Sequence, residues 1–373
     1  MSNIAGRVLG CVNGKPSAQV GLSLIELLIS MVIAAFIFGG VLSVMLSGRN
    51  AHVSEQETGI LQENQRFATA LLTRDIRLAG SFGCGATERA SVVNSVDPLV
   101  VADGGLLDGG ALMGYEGTTD TSSFPSGFRA NAAAGSDAII LRYADPDTSV
   151  SIKSHSPNSA VMHLHQDHRF NEDDILMVVD STCRHVGVFQ LTAGNSNKIN
   201  HNAGSNRGDA GNCTKVLFAP SSIDCTSPSC RPTSCGGYSA AAYGDGSEVM
   251  QFVANAYYIG PSTVLPGVTA LKRQVLSEMS TRAEEIAQGV ESMELLYGID
   301  TDTPMDGDIN RFVSANNVSD WTTVLAVRFN LVFRSQIEMF DQDQSVTING
   351  VTYTDKYMRK LSSSTVQVRN RGL

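Results

Sequence analysis

Residues 22–46 read LSLIELLISMVIAAFIFGGVLSVML, an unbroken apolar stretch in which Glu26 carries the only charge. A helix of this length can cross a bilayer, for which about 20 apolar residues suffice. A carboxylate inside such a segment costs at least ~2.5 kcal/mol unless it finds a partner. The stretch therefore predicts a membrane helix with a functional glutamate; the alternative is an ordinary anchor whose incidental glutamate reaches the interface.

The residues in front of this stretch are polar and basic, with Arg7 and Lys15 and no acidic residue. A secretory signal peptide is cut behind its apolar region, which spans only ~7–15 residues. Here the natural processing point lies in front of the apolar region, between Gly21 and Leu22. Cleavage there leaves the hydrophobic helix as the new N-terminus, so we expect residues 1–21 to be a leader peptide and residues 22–48 to be a transmembrane helix.

The apolar pattern changes after residue 48 but does not stop. Apolar residues recur on one helical stripe while polar residues occupy the opposite face, as in a helix packed on one side. No proline interrupts residues 22–80, so residues 49–80 are predicted to continue the same helix in amphipathic form. The stripe consists of Leu61, Ala68, Leu72, Ile76 and Ala79.

Beyond Gly80 the chain is rich in Gly, Ser and Asn and contains short β-branched runs between turn residues. Such runs predict a largely antiparallel sheet, and residues 81–373 are expected to form one β-rich head domain. Residues 283–297 fit either a short helix or a strand, while residues 104–110, 130–135 and 195–211 are predicted loops. The candidate strands are residues 138–143, 174–179, 186–192, 215–218, 249–259, 269–275, 323–334 and 364–369.

The cysteines point to an oxidising compartment. Removing the leader takes away Cys11 and leaves an even number, of which three follow a C-x4-C-x4-C pattern in a Ser/Pro/Gly-rich segment. This series differs from the C-x2–4-C pairs that zinc sites usually show, and no fourth ligand lies nearby, so disulfides are favoured over a metal site. Fifteen connectivities exist for six cysteines. The disulfide candidates are Cys84, Cys183, Cys213, Cys225, Cys230 and Cys235.

The formal net charge of the 373-residue chain is −10, and loss of the two leader cations Arg7 and Lys15 would make it −12. An acidic chain is poorly suited to phosphate-driven binding, so no direct nucleic-acid binding is expected. One segment, DTDTPMDGD, concentrates acidic residues. Calcium is a candidate ligand there, although Thr303-Pro304-Met305 interrupts the usual D-x-D-x-D-G spacing and a solvated acidic turn is the competing interpretation. The carboxylates belong to Asp300, Asp302, Asp306 and Asp308.

A membrane-anchored periplasmic enzyme is the alternative from another functional class. The sequence lacks G-x-S-x-G, H-E-x-x-H, P-loop and C-x-x-C motifs, which removes the common recognisable chemistries. Histidines 155, 163, 165 and 168 are close in sequence and suggest a metal site. On a strand, however, His163 and His165 would share one face while His168 faced the other. We therefore expect no enzymatic activity and no cofactor other than the calcium considered above.

The junction Gly21-Leu22-Ser23-Leu24-Ile25-Glu26-Leu27-Leu28 resembles the leader junction of type IV prepilins and of type II secretion pseudopilins. The family combines a glycine, a new apolar N-terminus and a glutamate at its fifth position. Leu22 replaces the more common phenylalanine, which weakens the expectation of N-methylation but not that of cleavage. The resemblance implies processing by a prepilin peptidase and a role for Glu26 in assembly.

Further resemblance to the PilW family of type IV pilus minor pilins lies in residues 75–84, 174–180, 295–302 and 321–371, whereas residues 85–138 and 195–246 are peculiar to this chain. It implies a pilin-like α+β fold, with a long N-terminal α-helix packed on a largely antiparallel β-sheet head domain. Residues 22–48 would then form the filament core as well as the membrane span.

The implied function is that of a minor pilin in a priming or tip complex that starts pilus assembly and supports twitching motility, adhesion and DNA uptake. Its partners would be other minor pilins, the major pilin and a tip adhesin. The protein would reside in the inner membrane with its head in the periplasm before assembly, and in the extracellular pilus afterwards. A GspJ-like minor pseudopilin of a type II secretion system is the alternative within the same structural class.

Overall fold

The structure is a computed structural model that describes residues 23–83, 91–96, 110–118, 120–204, 211–218, 223–224, 241–276 and 283–369. It divides into two compact units, Met1–Gln56 and Glu57–Leu373. The predicted helix is present as α1, Leu24–Leu78. The expected α+β class is confirmed, since this one long helix accompanies a body that is mostly antiparallel β-sheet. The predicted junction residues Gly21 and Leu22 lie outside the described residues.

Most strands that follow α1 are short, but the two longest, Ala138–Ser156 and Glu248–Pro261, have 19 and 14 residues. The only other α-helix among the described residues is α2, Ser126–Arg129. The strands are β1 Ser91–Asn94, β2 Leu112–Tyr115, β3 Ala138–Ser156, β4 Val161–Leu164, β5 Ile175–Val179, β6 His185–Gln190, β7 Ala193–Asn195, β8 Lys198–Asn200, β9 Ile223–Asp224, β10 Glu248–Pro261, β11 Thr269–Val275, β12 Ala283–Gln288, β13 Val290–Ile299, β14 Arg311–Val313, β15 Val324–Arg334, β16 Gln344–Ile348, β17 Val351–Asp355 and β18 Arg359–Gln367.

These strands form a large sheet, a smaller sheet and a separate hairpin. The 12-stranded sheet runs β7-β8-β4-β3-β10-β5-β6-β1-β9, with β11 on β10, β12 on β11 and β2 on β3. The 4-stranded sheet runs β14-β13-β15-β18, and β16 pairs with β17 alone. Pairing is antiparallel except where β1 meets β6 and β9.

The described residues correct several sequence-based predictions. Residues 215–218 are not a strand. Leu217 is buried outside any ladder, and its carbonyl accepts a hydrogen bond from the Tyr243 hydroxyl at 2.6 Å. The predicted loop 195–211 contains β8. The ambiguous segment 283–297 is two strands, β12 and β13. They separate at Gly289, whose φ of +75° is readily adopted only by glycine.

The core of the Glu57–Leu373 unit includes the predicted helical stripe. Leu61, Ala68, Leu72, Ile76 and Ala79 are all at most 3% exposed. They share one cluster with side chains from both sheets, including Tyr257 of β10, Leu295 of β13 and Phe329 of β15. Two further apolar clusters consist mostly of side chains from strands of the large sheet. The second part of α1 is therefore an integral element of the body's core.

Candidate functional site

The first part of α1 carries the predicted assembly residue, Glu26, in its first turn. A carboxylate is favoured there because the amide dipoles make the start of a helix positive. The large apolar side chains from Leu24 to Leu46 are between 51% and 79% exposed. By length and composition α1 can cross a membrane, and its most apolar window has a mean hydropathy of 2.6 with no residue buried in the structure. Signal sequences near an N-terminus can have the same length and apolar composition.

The second part of α1 is fixed to the body by polar contacts at regular intervals. The Glu57 carboxylate accepts a hydrogen bond from the backbone N–H of Gln336 at 3.0 Å. The Asn64 side-chain amide donates to the Gln288 carbonyl at 3.1 Å. Farther along, the Thr69 and Ser362 hydroxyls lie 3.0 Å apart. These contacts connect the helix to chain segments more than 200 residues away.

Asp75 provides the most deeply buried polar contact of α1, at 1% exposure. Its Oδ2 accepts hydrogen bonds from the Tyr257 hydroxyl at 2.6 Å and from the Asn255 side-chain amide at 3.0 Å. A carboxylate near the C-terminal end of a helix is disfavoured by the helix dipole, so its burial there depends on these donors. Burial, followed by the charge of Asp75, raises the pKa of Tyr257 well above its ordinary value and that of Tyr143 in the same way, which keeps both hydroxyls protonated as donors.

The structure brings together three of the four predicted calcium ligands. Single oxygens of Asp300, Asp302 and Asp306 lie within 4.8 Å of one another, and Asp308 is outside this group. The loop between β13 and β14 also satisfies these carboxylates internally. Asp300 accepts the backbone N–H groups of Asp302 at 2.9 Å and Gly307 at 2.8 Å, and these two bonds lower its pKa. The loop can therefore form as a hydrogen-bonded turn, and calcium binding stays a prediction.

The predicted cysteines are only partly within the described residues. Cys183 and Cys213 are disulfide-bonded in the structure. Cys84, Cys225, Cys230 and Cys235 lie outside the described residues. The set of three disulfides stays a prediction.

The histidines are arranged differently from the cluster expected from the sequence. His155 pairs with His201, a residue outside the predicted cluster, and their Nε2 atoms are 2.9 Å apart. Both are buried, at 8% and 0% exposure. By contrast, His165 contacts Asp245 at 2.8 Å on the surface, and His168 stacks on Phe170. No pattern in the sequence connects position 155 to position 201; the link is made by β3 pairing with β4 and β4 with β8.

The neighbours of the buried pair determine which nitrogens carry protons. His155 Nδ1 accepts the backbone N–H of Tyr243 at 3.2 Å, so its proton is on Nε2 and points at His201. His201 Nε2 must then accept, which places its own proton on Nδ1, a buried atom without a hydrogen-bond partner. Burial lowers the pKa of His155 to about 4 and, with the neighbouring histidine, that of His201 to about 3. The pair is thus neutral at physiological pH.

Comparison with known proteins finds one family model that matches the last third of the chain. Residues 256–370 match the family model described as type IV pilus-assembly protein W, PilW. This part of the chain is PilW-like. The matched PilW region begins within β10 and includes the whole 4-stranded sheet, the acidic loop and the β16–β17 hairpin. It spans 115 residues of 373, counting 256 to 370 inclusively.

The PilW match contains two of the segments from which the resemblance was first inferred, residues 295–302 and 321–371, the latter except for its last residue. Residues 75–84 and 174–180 lie outside it. No curated protein and no solved structure gave a significant match to the chain. The PilW match supports a role in type IV pilus assembly, and with it interaction with other pilus components.

Proposed function

We propose that this protein is a minor pilin that acts in the priming or tip complex of a type IV pilus. The observation that carries the proposal is the PilW match over residues 256–370. The first part of α1 supports it, because a helix that exposes apolar side chains on every face suits both a bilayer and a bundle of neighbouring helices. The contacts of Glu57, Asn64 and Asp75 then secure the β-rich body to that same helix.

The proposal includes a life cycle for the N-terminus. A prepilin peptidase cuts between Gly21 and Leu22 while the protein is held in the inner membrane with its body in the periplasm. The new amino group of Leu22 and the carboxylate of Glu26 then have opposite charges in apolar surroundings. Pairing Glu26 with the N-terminus of an adjacent subunit neutralises both, and leaving one partner of such a buried pair alone costs ~3–5 kcal/mol. The pair can therefore set the register between this subunit, other minor pilins and the major pilin.

Two other functions compete with this proposal. A GspJ-like pseudopilin would share the helix and Glu26, but the matched family is a pilus-assembly family. An anchored periplasmic enzyme would need a reactive site. Of the histidines that first suggested one, His155 forms a neutral buried pair with His201, and His165 contacts Asp245 on the surface. Twitching motility, adhesion through a tip adhesin and DNA uptake follow from the minor-pilin assignment as activities of the filament.

Deletion of the gene in the source bacterium, with complementation in trans, tests the assignment. We expect loss or strong reduction of surface pili and of twitching, with secretion of type II substrates unchanged. Complementation with the full chain should restore both. Normal piliation combined with a secretion defect would replace the minor-pilin assignment with the pseudopilin one, and normal results in both assays would contradict an assembly function.

A further inference from the structure

A cavity of about 310 Å³ lies between the β16–β17 hairpin and the 4-stranded sheet. Its volume is at the lower end of the range found for small-molecule pockets. The hairpin side contributes apolar surface, and the sheet side contributes polar and charged groups. The lining residues that matter are Ile348, Val351 and Tyr353 on one side and Ser292, Glu294 and Arg334 on the other.

The hairpin is held over the cavity by a network of charged and aromatic side chains. Arg359, only 3% exposed, forms paired hydrogen bonds with Glu291 and with Asp355 at distances between 2.7 and 3.1 Å. The Tyr353 ring lies against the same guanidinium at 4.2 Å. Hydrogen bonding from Arg359 lowers the pKa of Asp355 to about 2. The wall that carries Tyr353 is thus fixed in place by the network.

This network neutralises its own charges. Arg334 lies 3.5 Å from Glu291, packs over the Tyr357 ring at 4.3 Å and donates to the Gly267 carbonyl at 3.3 Å. Two guanidinium groups therefore face two carboxylates, those of Glu291 and Asp355. An anionic ligand would have to compete with these carboxylates for either arginine, so the network does not favour one.

Glu294 is the charged group that the network leaves uncompensated. It lines the cavity, is half-buried, and in the described part of the chain forms no ion pair. Burial, followed by the charges of the acidic residues Asp137 and Glu116, raises its pKa to about 7. Asp137 itself is occupied by the backbone N–H groups of Gly117 and Leu295, each at 2.7 Å, and Glu116 by that of Ala315.

The geometry points to a binding site for an alkylammonium group, such as a lysine side chain, with its charge on Glu294 and its hydrocarbon chain against Ile348, Val351 and Tyr353. A half-buried carboxylate without a cation is unfavourable, and a charge-assisted hydrogen bond from an ammonium group relieves that cost. Lysine stems pack on apolar surface in this manner. A divalent metal would need several oxygen ligands, whereas Glu294 is the one unpaired carboxylate among the described residues that line the cavity. The site does not depend on the assembly function proposed above.

Isothermal titration of the full chain in detergent tests this site, with N-acetyl-lysine methylamide as the probe and its uncharged norleucine analogue as the comparison. We expect the lysine probe to bind about tenfold or more tightly than the analogue, because a hydrogen bond to a charged group contributes ~1.5–3 kcal/mol. Glu294→Gln should abolish this difference. Glu338→Gln, which removes an exposed carboxylate elsewhere, should preserve it.

Two further measurements keep the test independent of folding. Val351→Trp changes a residue that is 53% exposed and should block the cavity without changing the unfolding midpoint. Lowering the pH from 8 to 6 should weaken lysine binding about tenfold, because Glu294 with a pKa of about 7 gains its proton while lysine stays charged. Equal binding of the two probes, or unchanged lysine binding by the folded Glu294→Gln variant, would overturn the proposal.

Discussion

The two units of this protein differ in how much of their apolar side-chain surface is buried within the unit. Between Glu57 and Val368, apolar side chains are packed into three buried clusters, and the deeply buried Asp75 has two hydrogen-bond donors. Between Leu24 and Leu46, the large apolar side chains are at least half exposed, and Glu26 is the one acidic residue in the first turn. A carboxylate on α1 is therefore a folding determinant in one unit and, by the proposal, an assembly determinant in the other.

This contrast separates stability from assembly. Substitutions of the buried side chains between Glu57 and Val368 should alter the free energy of unfolding, because these side chains pack against other parts of the same unit. Substitutions in the exposed apolar segment should leave that free energy unchanged and alter only binding to lipid or to other subunits. Equal effects of buried and exposed substitutions on unfolding would contradict this separation.

The largest effect on unfolding is expected from Asp75→Ala. The change leaves the Tyr257 hydroxyl and the Asn255 amide buried without their acceptor, and the loss of two buried hydrogen bonds to a charged group costs about 3 kcal/mol or more. Urea denaturation of the full chain in detergent measures it. Asp75→Asn, which keeps one oxygen, should cost less.

The matched control for Asp75 is Asp147→Ala. The Asp147 side chain is 82% exposed and pairs with the exposed Arg74, and surface pairs of this kind contribute ~0–1 kcal/mol. Equal destabilisation by the two substitutions would show that Asp75 does not secure α1 to the body.

The sequence predicts the parts of this fold that depend on local periodicity. The stripe from Leu61 to Ala79 is a run of spacings along one helix, and all five of its members are buried. It does not predict the partners of Glu57, Asn64 and Asp75, because those contacts join positions 180 or more residues apart. Glu294 was missed for the same reason: its environment is created by Asp137, Glu116 and a hairpin that are distant in sequence.

The errors in the predicted strands have the same origin. Residues 215–218 have strand-like composition, but Leu217 is buried without joining a ladder. His155 and His201 form a pair only after β3, β4 and β8 align. Composition predicts the burial of a residue more reliably than it predicts the side chains that this residue contacts.

The second effect on unfolding is a loss of stability in mild acid caused by the His155–His201 pair. The folded-state pKa values, about 4 and about 3, lie below the ordinary 6.5. The unfolded chain therefore takes up protons first as the pH falls, so the contribution of the pair is complete above about pH 6.5 and declines toward pH 4, by a few kcal/mol. Asp137 and Glu294, whose pKa values are raised, have the opposite dependence.

The variant His201→Phe isolates the contribution of this pair. It keeps an aromatic ring beside Phe189 and removes one of the two proton sites, so the difference in unfolding free energy between pH 7 and pH 5 should shrink. His163→Phe changes an exposed histidine and should leave that difference as it is. If His201→Phe left this pH difference unchanged, the pair would not be the cause of the loss of stability in mild acid.

A smaller effect is expected from the acidic loop. Asp300→Ala removes the acceptor for the N–H groups of Asp302 and Gly307, so the unfolding midpoint should fall, by less than for Asp75→Ala. The calcium hypothesis adds that millimolar calcium raises the midpoint of the wild type but not that of Asp306→Asn. If calorimetry detected no binding heat at millimolar calcium, the calcium hypothesis would be wrong. The acidic loop would then be a hydrogen-bonded turn without a bound ion.

The smallest effect on unfolding, and the largest on assembly, is expected from Glu26→Ala. The exposed position of Glu26 predicts an unchanged unfolding midpoint, and mass spectrometry should find the N-terminus of both wild type and variant at Leu22. Glu55→Ala, an exposed glutamate of the same unit, is the control for charge removal as such.

Surface piliation and co-purification of other minor pilins, compared between wild type, Glu26→Ala and Glu55→Ala at matched protein levels, test the central claim most directly. The account predicts that Glu26→Ala is stable, inserted and cut at Leu22, yet recovers few partners and supports few pili, while Glu55→Ala behaves as wild type. Unchanged piliation and unchanged partner recovery in Glu26→Ala would show that this carboxylate has no function in assembly.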